Sequence, residues 1–251
     1  MLPAETTIPP AGKVDKLPGL PPAPSGGILP WSEVRNQMDW RQGEHVTIIG
    51  PTGQGKTTLA LDLMDMRAER GGHPLIIATK PRDTTLERMR RGDWNVIRKW
   101  PPIRQKTILW PKMNRVADKG TQAAVIRDAL DQVFIAGNYA VLIDELSYVI
   151  DELRCKAEIT QIWQQGRALG ISLVTCILRP SHVPLLAYDQ ATHIIMFRDN
   201  DETNLRRMGG LGHWSRAEII DAVSQLERHQ FLLLNTRNGS MIRSITDPKG
   251  T

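Results

Sequence analysis

The sequence offers almost nothing to a metal framework or a disulfide scaffold. Its two cysteines, Cys155 and Cys176, stand singly, a usage that fits a reducing compartment rather than disulfide stapling. Its six histidines are scattered, with no His-Glu-x-x-His and no paired Cys/His cluster, so no structural zinc is expected. No apolar run approaches the roughly 20 residues that span a bilayer. The N-terminus also lacks the charged-then-apolar order of a secretion signal. A soluble, cytoplasmic protein is expected, unless a partner carries it to a membrane.

What is present divides unevenly. Residues 1–30 hold eight of the seventeen prolines and no apolar periodicity, which reads as an extended, disordered arm. Such an arm is either a simple tail or a grip on a neighbouring subunit. Residues 31–251 form the second unit. There, short apolar runs alternate with helical patterns, predicting a parallel sheet covered by helices on both faces, an α/β class. Strands are expected at 45–49, 74–78, 95–98, 106–109, 140–143, 171–177 and 192–197. Helices are expected near 57–70, 83–91, 120–136, 156–168, 201–208 and 215–225. Asn238-Gly239 between two apolar runs predicts a closing β-hairpin.

Gly50-Pro51-Thr52-Gly53-Gln54-Gly55-Lys56-Thr57-Thr58 fits G-x-x-x-x-G-K-[ST]. It follows a strand-like run and precedes a helix-like one, the context this phosphate-binding loop requires. Its glycines let backbone N–H groups close around an anion at a helix N-terminus. Lys56 suits the β- and γ-phosphates of ATP, and the Thr57 hydroxyl suits Mg²⁺.

Tyr139-Ala140-Val141-Leu142-Ile143-Asp144-Glu145 reads as a buried strand ending in two carboxylates, the Walker B pattern. Beside the phosphate-loop strand, Asp144 would reach the Mg²⁺ shell and Glu145 could orient and deprotonate water. With Lys56 these make the chain an expected ATPase. A P-loop kinase is disfavoured, because Glu145 follows Asp144 directly and no lid is recognisable.

Gly166-Arg167-Ala168-Leu169-Gly170-Ile171 through Arg179-Pro180 resembles the FtsK/HerA superfamily of DNA-pumping ATPases, over a core from about Trp40 to Ile245. The resemblance implies a RecA-like P-loop NTPase with a mainly parallel central sheet flanked by helices and a C-terminal β-hairpin. It implies that Arg167 is an arginine finger given to a neighbour's ATP site. It therefore also implies a homo-oligomer, a hexameric ring that translocates or packages DNA. Leu178 departs from the family pattern, which has a polar sensor there. The compact form looks more like viral or mobile-element packaging ATPases, with a portal or membrane component as a docking partner and the host cytoplasm as location. The rival reading is a nucleotide-switched adaptor or helicase-loader-type ATPase acting on a protein.

Residues 80–115 carry eleven Lys/Arg against three acids, while the whole chain has a net charge of +5. A local excess of this kind suits a polyanion. Arg88, Arg90, Arg91, Arg98 and Lys99 are the chosen nucleic-acid candidates, with Lys80 and Arg82 behind them. Trp94 and Trp110, interleaved with these charges, are read as core residues rather than stacking platforms.

Overall fold

A computed structural model describes residues 27–102, 105–113, 115–208 and 213–246. Most of the proline-rich arm, residues 1–26, lies outside them. In chain order the elements are β1 (Leu29–Pro30), α1 (Trp31–Gln37), β2 (His45–Ile49), α2 (Lys56–Glu69), β3 (His73–Ile77), α3 (Thr84–Arg90), β4 (Asn95–Ile97) and β5 (Thr107–Leu109). They continue with α4 (Lys119–Ala136), β6 (Tyr139–Ile143), α5 (Lys156–Gln165), β7 (Ser172–Ile177), α6 (Leu186–Asp189) and β8 (Ala191–Phe197). The chain closes through α7 (Glu202–Met208), α8 (Arg216–Ser224), β9 (Gln230–Asn235) and β10 (Ser240–Ile245).

The ten strands among the described residues form one sheet in the order β1-β10-β9-β8-β2-β7-β6-β3-β5-β4. From β8 to β4 every pairing is parallel. The closing hairpin β9–β10 is antiparallel and continues the sheet beyond β8. Leu29 and Pro30, the last two residues of the proline-rich stretch, pair with Ser244 and Ile245 at that edge.

Alternation along each strand explains why the central runs read as continuously apolar. Successive side chains point to opposite faces, and both faces are covered. Leu75, Val141, Leu173, Ile194 and Leu232 join one core with Ile126, Leu130 and Val133 of α4 and Ile159 and Trp163 of α5. Ile76, Leu142, Val174, Ile195 and Phe231 join the other, with Trp31 of α1 and Leu59, Leu63 and Met64 of α2. Trp94 and Trp110 are buried in that second core. Two helix starts carry side-chain caps: the Asp83 carboxylate accepts from the N–H groups of Thr85 and Leu86 at α3, and Ser215 and Glu218 cap each other's backbone at α8. No helix among the described residues is long and apolar enough to cross a membrane.

Candidate active site

Because β2 lies beside β7, with β6 one strand further, the carboxyl ends of these three strands open onto one cleft of about 500 Å³, which Lys80 after β3 also lines. The phosphate loop forms one wall. Gly50 leaves β2 at φ 153, and a Cβ there would sit 2.7 Å from the Phe197 Cβ, so only glycine lets the loop turn against β8. Gly55, at φ 108, precedes α2, and no side chain caps that helix. Its first N–H groups therefore remain available to an anion.

Lys56 Nζ donates to the Pro51 carbonyl at 2.8 Å, curling over its own loop. Burial lowers its pKa, with Cys176 and Asp144 acting in the opposite direction. Thr57 Oγ1 donates to Asp144 Oδ1 at 2.9 Å. The two residues expected to share a cation are thus already in contact, across 87 positions of sequence. A hydroxyl and a carboxylate, both hard oxygen donors, fit Mg²⁺, which keeps several waters and takes few protein ligands. No group of three or more His, Cys, Asp or Glu fit to hold a metal occurs among the described residues.

Glu145 lies beside Asp144 in the cleft, where two residues from β3's end meet it. Thr79 Oγ1 donates to Glu145 Oε2 at 3.2 Å, and Lys80 Nζ stands 3.2 Å from Glu145 Oε1 and 3.6 Å from Asp144 Oδ2. Burial would lower the Lys80 pKa, but the two carboxylates outweigh it and raise the value. Lys80 therefore belongs to the cleft and faces its carboxylates. Gln122 and Tyr148 support this corner: Tyr148 Oη donates to Gln122 Oε1 at 2.9 Å, and Gln122 Nε2 to the Thr79 carbonyl at 3.1 Å. Tyr148 opens a π-helical turn, Tyr148–Glu152, three residues after Glu145. On the cleft floor, burial and then Asp144 push the Cys176 thiol well above its ordinary range, so it stays protonated. Leu178, 47% exposed, also lines the cleft, and its side chain brings no hydrogen-bonding group to it.

Arg167 is exposed and lies away from this cleft, in a 3-10 turn between α5 and β7. β7 runs parallel to β2, pairing Ile177 with Ile49 beside the phosphate loop, so residues before Ser172 lie at the sheet's other end. The Arg167 carbonyl abuts Gly43, ahead of β2. A five-residue strand separates the two ends by roughly 16 Å. Arg167 cannot reach the cleft of its own chain.

The nucleic-acid candidates collect near the β4 edge. Arg88 and Arg90 are exposed on α3, followed by exposed Arg91, Arg98 and Lys99. Arg98 is partly committed, because its Nη1 donates to the Trp110 carbonyl at 2.7 Å.

No protein-family model matches the sequence, and no curated protein matches it. Solved structures do match. B204, the DNA-packaging ATPase from Sulfolobus turreted icosahedral virus, aligns with TM-score 0.60 at 16% identity over 83% of this chain and 100% of B204. VirB4 of Thermoanaerobacter pseudethanolicus aligns with TM-score 0.60 at 12% identity, covering 82% of this chain and 89% of its own. The pCW3 conjugation coupling protein TcpA, solved with ATPgS, aligns with TM-score 0.53 at 14% identity over 84% of this chain and 62% of TcpA. This chain has the P-loop NTPase fold of these proteins. The mainly parallel, helix-flanked sheet with its closing hairpin is the architecture that the resemblance implied. Lys80 and Thr79 are not legible in the sequence as partners of Glu145. Their only signal is their position at the end of a strand between the Walker motifs.

Proposed function

We propose that this chain is an ATP-hydrolysing motor that translocates or packages DNA as a ring of identical subunits. One observation carries the reading: a single cleft joins the phosphate loop, the Thr57–Asp144 pair and the strand-end Glu145. The triphosphate would lie on the loop, held by backbone N–H groups and the N-terminus of α2. Lys56 would exchange the Pro51 carbonyl for the β- and γ-phosphates. Thr57 and Asp144 would hold Mg²⁺, which supplies charge neutralisation at the phosphates. Glu145 would take the proton of the attacking water, and Lys80 and Thr79 fix where its two oxygens lie.

Arg167 would complete the cleft of the next subunit, which requires head-to-tail contacts that close into a ring. An arginine given in trans contributes on the order of 10³ to 10⁵ in rate, so an isolated subunit would turn over slowly. The basic surface around Arg88, Arg90 and Arg91 supports DNA as the cargo.

ATP hydrolysis measured with and without long duplex DNA, across a salt series, tests this reading. Strong stimulation that collapses steeply with salt is expected. A rate indifferent to DNA at every salt concentration would favour the adaptor reading, to which the apolar Leu178 lends support.

A further inference from the structure

Between α8 and β9 the chain turns back onto the phosphate loop. His229 lies there at φ 67, a left-handed conformation uncommon for residues other than glycine and asparagine. Its Nδ1 donates to the Gln54 carbonyl at 3.0 Å, and its backbone N–H reaches Gln54 Oε1 at 3.4 Å. Thr246, the residue after β10, holds His229 from behind. Its N–H and hydroxyl donate to the His229 carbonyl at 3.0 and 3.4 Å. A Cβ on Gly55 would meet Thr246 at 3.4 Å and His229 Nδ1 at 3.7 Å, so the hairpin's base lies directly against the loop. The half-buried imidazole forms part of the cleft wall.

In a trans peptide the C=O and N–H point in opposite directions. Tying the Gln54 carbonyl to His229 therefore turns the Gly55 N–H away from His229. Glycines at φ 153, 79 and 108 leave this loop other arrangements, and each one populated lowers the fraction competent to bind. We propose that His229 is a positioning residue for the nucleotide: it holds the Gln54–Gly55 peptide so that the Gly55 N–H is presented to the β-phosphate. The proposal rests on the nucleotide reading of the cleft. It adds that the closing hairpin, remote in sequence, sets the affinity of the phosphate loop.

The test compares the full chain with His229→Gly and His229→Asn. Glycine keeps the left-handed backbone and removes the imidazole, and asparagine keeps that backbone and restores an N–H donor. Displacement of a fluorescent ATP analogue by ATP, ADP and AMP, with Mg²⁺, gives three affinities per variant. His229→Gly should weaken ATP and ADP about tenfold, the effect of one well-placed hydrogen bond, and AMP less than about twofold. His229→Asn should fall between glycine and the parent. Unchanged ATP affinity in His229→Gly overturns the proposal. So does an equal loss for all three nucleotides that tracks a lower thermal midpoint, because that marks a structural role alone. A parent that binds none of the three removes the nucleotide reading, and this inference with it.

Discussion

Lys80 Nζ lies 3.2 Å from Glu145 Oε1, while Thr79 Oγ1 donates to the other oxygen of the same carboxylate. Both residues come from the end of β3, next to β6 in the sheet. Glu145 is therefore held from both sides before any nucleotide arrives. Lys80→Ala should lower kcat about tenfold with a smaller change in KM, because the carboxylate loses its orientation rather than the phosphates their cradle. Lys80→Arg should recover part of the loss. Steady-state ATPase kinetics measure both. A Lys80→Ala enzyme with parental kcat would show that this ion pair does nothing for turnover.

Glu145→Gln keeps the shape and hydrogen-bonding reach of the side chain but removes the carboxylate proposed as the base. It should bind ATP within about threefold of the parent and cleave it at least about a hundredfold more slowly. Lys56→Ala, by contrast, should lose binding itself. Equilibrium binding beside single-turnover cleavage separates the two. Parental cleavage by Glu145→Gln would remove Glu145 as the base.

Arg167 stands exposed at the end of the sheet opposite its own phosphate loop. Arg167→Ala should abolish most turnover in a pure preparation. Mixed with Lys56→Ala subunits, it should regain measurable activity, because some interfaces then join an intact loop to an intact arginine. Activity that stays at the sum of the two separate variants across all mixing ratios would count against a role in trans.

What can be read in the sequence is local. The phosphate loop declares itself within nine residues, and Walker B within seven, because strand, loop and acid are contiguous. Strand and helix positions follow from apolar period, since a sheet covered on both faces makes each central strand continuously apolar. Lys80 and His229 are not legible as site residues. Each matters because the sheet order brings β3 beside β6 and the base of the hairpin onto Gln54, and no short pattern encodes that adjacency. β1 is too short to show a period, and α1 offers only Trp31 and Val34, three residues apart, as its buried face. In the sequence Lys80 is one more member of a basic run, and only the place of β3 in the sheet makes it a cleft residue.

The same basic run contains residues of two kinds. Arg88, Arg90 and Arg91 are exposed near the C-terminus of α3, whereas Arg98 donates to the Trp110 carbonyl. Replacing the three by alanine should leave DNA-free ATPase activity unchanged. It should also reduce the slope of log affinity against log salt by about one for each phosphate no longer neutralised. Arg98→Ala should instead lower the thermal midpoint. DNA titrations at several salt concentrations decide the first point, and thermal melts decide the second.

His45 makes stability depend on pH. Its Nε2 donates to the Trp163 carbonyl at 3.2 Å, and its Nδ1 accepts from the Leu173 N–H at 2.9 Å, a pattern only the neutral ring can make. Burial, with a smaller contribution from Arg167, pushes its pKa from 6.5 down to about 4. The unfolded imidazole takes its proton near 6.5, so between that pH and about 4 the unfolded chain binds more protons than the folded one. Stability is then complete above about pH 6.5 and falls as the pH falls, by up to about 3 kcal/mol from this residue. Buried His193, pushed down to about 4 chiefly by burial, acts in the same direction. Urea midpoints at pH 7.5 and 5.0 should drop more for the parent than for His45→Gln, which cannot be protonated. Equal drops in the two proteins would mean that the acid sensitivity arises elsewhere.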